Sequence, residues 1–289
     1  MTDERDNRAA TGAMSFEPYF VINEEGKSPY LFVCEHASNF IPDSFDGLGL
    51  DAEALNAHIA WDPGAVEVAR HLSAALDAPL VEAGLSRLLI DCNRPLDARD
   101  LIPEISETTV VPGNHELGSV ERTARIDLSH RPFHRRIEEV INARAARGQA
   151  SWVVTIHSFT PIYRGVSRPW QIGIIHDQDD RIAAPLIAAL KQDRSLNVGV
   201  NEPYSPADRV YYTLERHARP RNTPCAMIEL RNNEITNKDT QDAWAARLAT
   251  IFTDIAKTLD PQLQLTRPKA LRSGKCRSRS DYSSNMLMR

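Results

Sequence analysis

Short apolar runs alternate with helix-spaced segments along most of the chain. Seven runs have the length and composition of buried strands: residues 30–36, 79–83, 88–92, 152–158, 170–177, 196–201 and 225–231. Apolar residues recur at helical spacing in four segments between or after them: residues 63–76, 136–148, 180–193 and 244–259. Strands that are apolar throughout and separated by helices are typical of a mostly parallel sheet covered on both faces. The pattern therefore predicts an α/β protein.

The composition narrows the kind of protein. The chain has 289 residues, 42% of them hydrophobic and 25% charged, which is enough for one sizeable core. A net charge of -5 and a pI near 6.0 argue against a nucleic-acid binder, which needs a basic face. No apolar stretch approaches the roughly 20 residues of a membrane span, and the polar residues 1–14 do not resemble a secretory signal. We expect a cytoplasmic protein that binds neither nucleic acid nor membrane.

The two ends of the chain differ in character from its middle. We predict an N-terminal extension over residues 1–27, one folded domain over 28–262, and a disordered basic tail over 263–289, where Ser, Arg and Lys predominate without periodicity. The four cysteines are far apart, and three lie in apolar runs, so we expect reduced thiols rather than disulfides or a zinc site. They are Cys34, Cys92, Cys225 and Cys276.

Polar residues of catalytic type lie at the ends of four predicted strands. Ligands of open α/β sheets bind at the carboxyl ends of the strands, so these residues should meet in one pocket. In chain order they are Glu35 and His36; Asp91, Asn93 and Arg94; His157 and Ser158; and Glu229 and Arg231.

Two of these strand-end residues are histidines and therefore candidate metal ligands. His36 and His157 each follow an apolar run, and imidazole is a common ligand of first-row metals; a purely structural role is the alternative. Asp62 precedes a predicted helix, so it is either the helix N-cap or a further ligand. His130 and His134 have i, i+4 spacing, but a proline between them argues against a metal site there.

Charged residues beside apolar runs are the candidates for catalysis. Glu229 lies inside an apolar strand, where an unpaired charge is costly, so it is either paired with an arginine or a working base. Arg87 and Arg94 flank the third apolar run, and together with Asn93 they could bind a carboxylate or a developing oxyanion. The alternative is an internal salt bridge from either arginine to Asp91.

Several motifs, taken together, resemble one family. In chain order they are CEHASNFIP, WDPGA, SRLLIDCNRP, TIHSFTP, NEPYSP, LERHA and AMIELRNNEI. Over about residues 28–256 the chain resembles the N-formylglutamate amidohydrolases, whose fold is similar to that of zinc carboxypeptidases and aspartoacylases. The resemblance implies a single three-layer α/β/α domain with a mixed, mostly parallel central sheet.

The resemblance also implies a single zinc ion, which another divalent metal could replace. His36 and His157 match the two histidine ligands of the family. Carboxypeptidase-type sites have His-x-x-Glu, but Asn39 stands three residues after His36. Asp62 is therefore our first choice for the third ligand and Glu35 our second.

Catalytic roles follow from the resemblance in the same way. Glu229 resembles the glutamate that activates the metal-bound water, and Arg87 resembles the arginine that polarises the scissile carbonyl. Asn93 and Arg94 are similar to the pair that holds a substrate carboxylate. Further residues expected to line the substrate pocket are Ser158, Tyr204, His217 and Arg231; for Tyr204 and His217, packing within a loop is the alternative.

The expected activity is hydrolysis of the amide of an N-formyl or N-acyl amino acid, with N-formylglutamate giving formate and glutamate. The substrate is then a small molecule that carries a carboxylate. A deacylase or peptidase on another carboxylate-bearing amide is the second enzymatic hypothesis. A catalytically silent carboxylate-binding protein of the same fold is the non-enzymatic one.

Overall fold

The structure is a computed structural model that describes residues 16–261. Its strands are β1 (Tyr19–Ile22), β2 (Tyr30–Cys34), β3 (Leu80–Ala83), β4 (Ile105–Ser106), β5 (Thr109–Val110), β6 (Trp152–Phe159), β7 (Ile162–Tyr163), β8 (Val166–Ser167), β9 (Ile172–Ile175), β10 (Val198–Val200) and β11 (Cys225–Arg231). Its α-helices are α1 (Ala52–Asn56), α2 (Ala65–Leu76), α3 (Ser119–Arg125), α4 (Arg131–Ala146), α5 (Ala183–Leu190), α6 (Tyr212–His217) and α7 (Lys238–Leu259).

Seven strands form the central sheet in the order β1-β3-β2-β6-β11-β9-β10. The four strands β3, β2, β6 and β11 are parallel neighbours, and β9 is parallel to β10. Within this sheet, the pairs β1–β3 and β11–β9 are antiparallel. The sheet is therefore mixed and mostly parallel, as predicted.

Helices cover both faces of this sheet. Alternate residues of a strand point to opposite faces; in β2, Phe32 packs with helices α2, α5 and α7, whereas Leu31 and Val33 pack with α4 and α6. On the first side, Phe252 of α7 contacts the rings of both Tyr30 and Phe32. The predicted three-layer α/β/α arrangement is confirmed.

The folded region begins earlier than the predicted boundary at residue 28. Strand β1 lies within the stretch assigned to the N-terminal extension, yet it pairs with β3 from Tyr19↔Ala83 to Ile22↔Leu80 and closes one edge of the sheet. Residues 1–15 and the predicted tail over 263–289 lie outside the described residues.

The apolar run at residues 88–92 is not a strand, contrary to prediction. Leu88 and Leu89 are buried, but they pack in a separate cluster with residues such as Leu48, beside the sheet rather than within it. Their carbonyl groups accept hydrogen bonds from the side chains of Asn114 (2.8 Å) and Arg125 (3.2 Å). These bonds satisfy polar backbone groups that a strand would otherwise pair in its ladder.

Two short hairpins stand apart from the central sheet. One is formed by β4 and β5, and the other by β7 and β8. They touch each other where the backbone N–H of Arg164 donates to the carboxylate of Glu107 at 3.3 Å. Both hairpins contribute residues to the cavity described below.

Two further predictions concern the cysteines and membrane spans. Cys34, Cys92 and Cys225 are buried free thiols, as predicted, and Cys276 lies outside the described residues. Within residues 16–261, no helix has both the length and the apolarity needed to cross a bilayer.

Gly173 in β9 lies where the backbone of a neighbouring loop approaches the sheet. A Cβ atom at this position would lie only 1.9 Å from the carbonyl oxygen of Glu202. The same loop leads through Pro203 to Tyr204, which lines the cavity. Glycine at residue 173 therefore allows this loop to pack directly on the sheet.

Replacing Gly173 by alanine should lower the free energy of unfolding by about 2–3 kcal/mol, because the loop backbone must move. Urea denaturation of wild type and Gly173→Ala measures this loss. The control is Gly165→Ala: its φ is 79° but nothing lies within 4 Å of an added Cβ, so only backbone strain of about 1 kcal/mol applies. Equal losses in the two variants would contradict the close approach.

Candidate active site

The candidate site lies at the carboxyl edge of the central parallel strands. His36 follows β2, while His157 and Glu229 lie within β6 and β11. His157 and Glu229 are register partners in adjacent parallel strands, so their side chains share one face of the sheet. Asp62 reaches this edge from the loop before α2, where its backbone N–H donates to the carbonyl of His36 at 3.0 Å.

His36, Asp62 and His157 form a buried cluster of three potential metal ligands. Asp62 Oδ2 lies 3.2 Å from His36 Nδ1 and 3.0 Å from His157 Nδ1, and the two Nδ1 atoms are 3.2 Å apart. Zinc–ligand distances of about 2.0–2.1 Å in tetrahedral geometry imply separations of about 3.3 Å between ligand atoms. The three donors are thus spaced as such a site requires.

The far nitrogen of each imidazole faces another buried carboxylate. His36 Nε2 lies 2.8 Å from Asp91 Oδ1, and His157 Nε2 lies 3.1 Å from Glu35 Oε2. Asp91 accepts a hydrogen bond from His36 Nε2, so this nitrogen holds a proton and the lone pair of His36 Nδ1 faces the cluster. His157 Nε2 lies within ion-pair distance of Glu35 but makes no hydrogen bond with it. Carboxylate partners of this kind orient histidine ligands in metal sites.

Asp62 is not the N-cap of helix α2. Gly64, with φ of 81°, occupies the cap position, and no side chain caps the helix. Instead, Asp62 Oδ2 also accepts the backbone N–H of Ser158 at 3.2 Å. Burial alone would raise the pKa of Asp62, but the adjacent His36 and His157 lower it, so the carboxylate is ionised.

A proton can occupy the cluster when no metal does. Burial would lower the pKa of His157, but Glu35 and Asp62 on either side raise it well above its usual value. The imidazolium form then lies between two carboxylates. A metal ion bound at Nδ1 of His157 would have to displace this proton, so its affinity would depend on pH.

Glu229 is a buried carboxylate with a pKa near neutrality. Burial raises its pKa to about 7, and the negative charge of Asp62 adds to the effect. Its Oε2 atom has no hydrogen-bond partner within the described residues. A carboxylate with this pKa can both accept and return a proton near pH 7.

Arg87 lies beside the cluster and is anchored by acids. Its Nη2 donates to Asp91 Oδ2 at 2.8 Å, and its Nη1 lies 3.2 Å from His36 Nδ1 and 3.5 Å from Asp62 Oδ1. The salt bridge to Asp91, which was the alternative role predicted for this arginine, therefore exists. It does not bury the arginine, whose side chain remains 26% exposed and lines the cavity.

A cavity of about 160 Å³ opens onto this cluster. Most of the residues predicted for the site line it. They are His36, Asp62, Arg87, Asn93, Arg94, His157, Ser158, Tyr204 and Glu229.

Arg94 and Asn93, the predicted carboxylate-binding pair, differ in whether their polar groups are available to a ligand. Arg94 donates through Nε to Asp100 (2.8 Å) and through Nη1 to the carbonyl of Asn93 (3.1 Å), which leaves Nη2 without a hydrogen bond inside residues 16–261. Both ends of the Asn93 amide are engaged in the wall: its nitrogen donates to the carbonyl of Val210, and its oxygen accepts the backbone N–H of Thr213. Asn93 therefore anchors the cavity wall, while Arg94 can still bind a ligand.

The structure does not bring His217 and Arg231 into the cavity. Arg231 turns outward to Glu234 at 2.6 Å. His217 is buried behind the wall, with its Nε2 2.9 Å from Nδ1 of His134, whose Nε2 in turn lies 2.8 Å from the carbonyl of Cys92. His130 Nε2 similarly lies 2.9 Å from the carbonyl of Arg94. The three histidines support the backbone of the loop that carries Asn93 and Arg94.

Sequence reasoning missed part of the site. It considered Asp91 as a salt-bridge partner, which it is for Arg87, and Glu35 as a possible ligand, but it did not predict that both lie beside the far nitrogens of the histidines. It also did not place His58, Glu107 and Tyr163 in the cavity wall. Glu107 and Tyr163 lie in or beside two-residue strands, which are too short to leave a periodic pattern.

A protein built in this way is an α/β/α enzyme with a candidate metal centre at the carboxyl edge of its sheet. The family model described as N-formylglutamate amidohydrolase matches residues 28–236, and the chain belongs to that family. It is therefore an amidohydrolase, as the sequence predicts.

Among solved structures, one is a clear relative of the chain and others are more distant matches. A gene product from Agrobacterium tumefaciens is 44% identical, with a TM-score of 0.82 over 84% of this chain and 96% of that one. The N-formylglutamate amidohydrolase from Ralstonia eutropha JMP134 shares the fold at 18% identity, with a TM-score of 0.64 over 85% and 99% of the two chains. A metallo-carboxypeptidase from Burkholderia cenocepacia aligns at 10% identity and a TM-score of 0.36 over 84% and 66%. No curated protein matches the chain.

Acid should destabilise the fold through the buried His217. Burial lowers its pKa from 6.5 to about 3, so at pH 5 the unfolded chain binds a proton that the folded chain does not. Stability is therefore lost as the pH falls below about 6.5, by about 2 kcal/mol at pH 5 for this group.

The measurement is urea denaturation at pH 7 and pH 5. His217→Gln, which lacks the titrating imidazole, should lose about 2 kcal/mol less than wild type over this range. His115→Gln is the control, because His115 is exposed. The same pH dependence in His217→Gln and wild type would contradict the role of His217.

Proposed function

We propose that the chain is a metal-dependent hydrolase that cleaves the amide bond of an N-formyl or N-acyl amino acid. The observation that carries this proposal is the buried cluster of His36, Asp62 and His157 next to Glu229, at the bottom of a cavity that also exposes Arg87. The name of the family supports the formyl amide and the amino-acid part of the substrate. N-formylglutamate is accordingly the first compound to test.

His36, His157 and Asp62 would hold the metal ion. Two imidazole nitrogens and one carboxylate oxygen are a donor set that suits zinc and leaves one position open, although other divalent metals accept the same donors. The bound ion would act as a Lewis acid toward the scissile carbonyl and lower the pKa of a bound water toward ~7. Asp91 fixes the orientation of the His36 imidazole through a hydrogen bond, and Glu35 places a negative charge beside the far nitrogen of His157.

Glu229 would serve as the general base and then as the general acid. With a pKa of about 7, it can take a proton from the attacking water and return it to the nitrogen of the leaving amine. Its position beside His157 in the sheet fixes it relative to the metal ligands. Because its backbone lies in an interior strand, the residue needs little backbone reorganisation during the reaction.

Arg87 would stabilise the negative charge that develops on the carbonyl oxygen. Asp91 holds one side of its guanidinium group, and the opposite side reaches the cluster. Arg94 would bind the α-carboxylate of the substrate through its free Nη2. Asn93 would act indirectly, because its amide ties the loop to Val210 and Thr213.

A deacylase for larger acyl groups and a silent carboxylate-binding protein remain the alternatives. Hydrolysis of a panel of N-formyl and N-acetyl amino acids distinguishes the first alternative from a deformylase. Metal analysis of the purified protein tests the second, since a silent protein would bind the amino acid without metal-dependent turnover.

The metal ligands can be tested by substitution. His36→Ala and His157→Ala should each lower zinc affinity by at least about 100-fold, because each removes a direct ligand. Metal content after dialysis against a zinc buffer gives the readout. His71→Ala is the matched control, since this histidine pairs with Asp242 away from the cavity. If all three variants retain equal zinc, the proposed site is wrong.

The general base can be tested separately from the metal. Glu229→Gln keeps the size of the side chain but cannot accept the proton, so kcat should fall by roughly 10²-fold or more while zinc remains bound. Glu82→Gln, which alters a buried carboxylate paired with Arg70, controls for the loss of a buried charge elsewhere. Near wild-type turnover in Glu229→Gln would leave Glu229 with a structural role only.

A further inference from the structure

An arginine without an acidic partner lies buried beside the cavity. Arg168, which follows β8, is only 7% exposed. Arg87 and Arg94 each pair with an aspartate at 2.8 Å, but Arg168 forms no ion pair with any residue from 16 to 261. Burying a cation without compensating contacts is costly, so its surroundings have to offset this cost.

Three aromatic rings surround the guanidinium group of Arg168. Its Cζ atom lies 4.4 Å from the ring centroid of Tyr163, 4.8 Å from that of Tyr204 and 5.9 Å from that of Phe159. The faces of aromatic rings attract cations, and this attraction is stronger where water is excluded. All three rings line the cavity, so Arg168 lies behind the wall that they form.

The backbone of Arg168 is fixed from two sides. Its N–H donates to the carbonyl of Pro161 at 2.8 Å, and its carbonyl accepts Nη1 of Arg231 at 3.3 Å. Arg231, which does not reach the cavity, thus supports a residue that lies behind the cavity wall. The side chain of Arg168 therefore extends from a backbone that is held in place.

The guanidinium group holds the hydroxyl of Tyr204. Nη1 of Arg168 donates to Tyr204 Oη at 3.1 Å. Because Oη accepts this bond and forms no other inside residues 16–261, the phenol proton remains available for an acceptor in the cavity. A hydroxyl that accepts a bond from a cation is polarised, which makes it a stronger donor.

The charges around the phenol come from the groups assigned to the reaction. Burial raises the pKa of Tyr204, and the negative charge of Glu229 adds to this effect. Arg168 and Arg87 act in the opposite direction without reversing it, so the phenol holds its proton at neutral pH. Glu229 is the proposed base and Arg87 the proposed partner of the oxyanion. Their influence on the phenol favours the carbonyl oxygen of the scissile amide as the acceptor of its proton.

We propose that Arg168 is a positioning residue, which holds the hydroxyl of Tyr204 so that Tyr204 donates a hydrogen bond to the carbonyl oxygen of the scissile amide as negative charge develops there. Tyr204 then acts beside Arg87. This inference rests on the proposed amidohydrolase function and adds two residues to its mechanism. A donor that is oriented before the substrate binds needs no reorganisation during the reaction.

A double-mutant cycle separates this role from packing. With zinc-loaded protein and the best substrate of the N-formyl and N-acetyl panel, Tyr204→Phe should lower kcat about 100-fold with a smaller change in KM, because the lost donor acts mainly in the transition state. Arg168→Met should lower kcat about 10-fold in wild type but less than about twofold in Tyr204→Phe, because the hydroxyl that it positions is already absent. Equal losses in both backgrounds, or near wild-type kcat in Tyr204→Phe, would overturn the proposal.

Arg247→Met is the matched control. Arg247 also lies over an aromatic ring, that of Trp244 at 5.6 Å, but both residues belong to α7 away from the cavity, so kcat should stay that of wild type. Metal content and thermal unfolding check that each variant retains the site and the fold. If Arg168→Met is unstable, the same cycle is run with Arg168→Lys, which keeps the charge but lacks the planar guanidinium group.

A second measurement does not depend on turnover. Fluorotyrosine incorporated at residue 204 reports the ionisation of the phenol through its fluorine NMR shift. It should ionise at higher pH in Arg168→Met than in the wild-type background, because the neighbouring cation is lost. An unchanged titration would refute the contact. If wild type hydrolyses no member of the panel, the proposed function fails, and this titration alone decides whether Arg168 positions Tyr204.

Discussion

The site depends on a concentration of buried negative charge at the centre of the sheet. Glu35, Asp62, Asp91 and Glu229 are all nearly inaccessible to water, and each would be costly to bury alone. The imidazoles of His36 and His157 and the guanidinium of Arg87 lie between them and offset part of this cost. The remaining cost of burying these carboxylates is offset either by a proton on His157 or by a cation bound at the two Nδ1 atoms. The affinity of this site for a metal ion would thus depend on the whole charged network.

Sequence patterns predicted the sheet well because its strands are buried on both faces. Continuous apolar runs identify such strands, and each of β2, β6, β9 and β11 lies where a run occurs. The same signal failed at residues 88–92. Burial makes a run apolar whether or not it pairs with a neighbour, and here Leu88 and Leu89 pack beside the sheet. An apolar run therefore predicts that a segment is buried, but it does not predict that its backbone pairs with a neighbouring strand.

Residue chemistry predicted the members of the site better than their contacts. His36, His157 and Glu229 were selected because they lie in or directly after apolar runs, and Asp62 because Asn39 left the third ligand of the family pattern unassigned. The fold brings all four together. His217 could not be distinguished from them in sequence. A buried histidine that supports a loop has the same kind of sequence context as one that binds a ligand. The cavity residues of the two short hairpins, Glu107 and Tyr163, could not be predicted from the sequence for another reason. Two-residue strands and turn residues carry no periodicity from which to infer a position.

The order of the strands has a consequence for how the chain reaches its native state. Strand β11 is the last in sequence, yet it lies between β6 and β9 in the interior of the sheet. The sheet cannot close until residues 225–231 have left the ribosome and inserted between strands made much earlier. Pairings over such long sequence separations are slow to form and expose apolar edges meanwhile. During synthesis, β6 and β9 therefore present open edges to chaperones or to other chains.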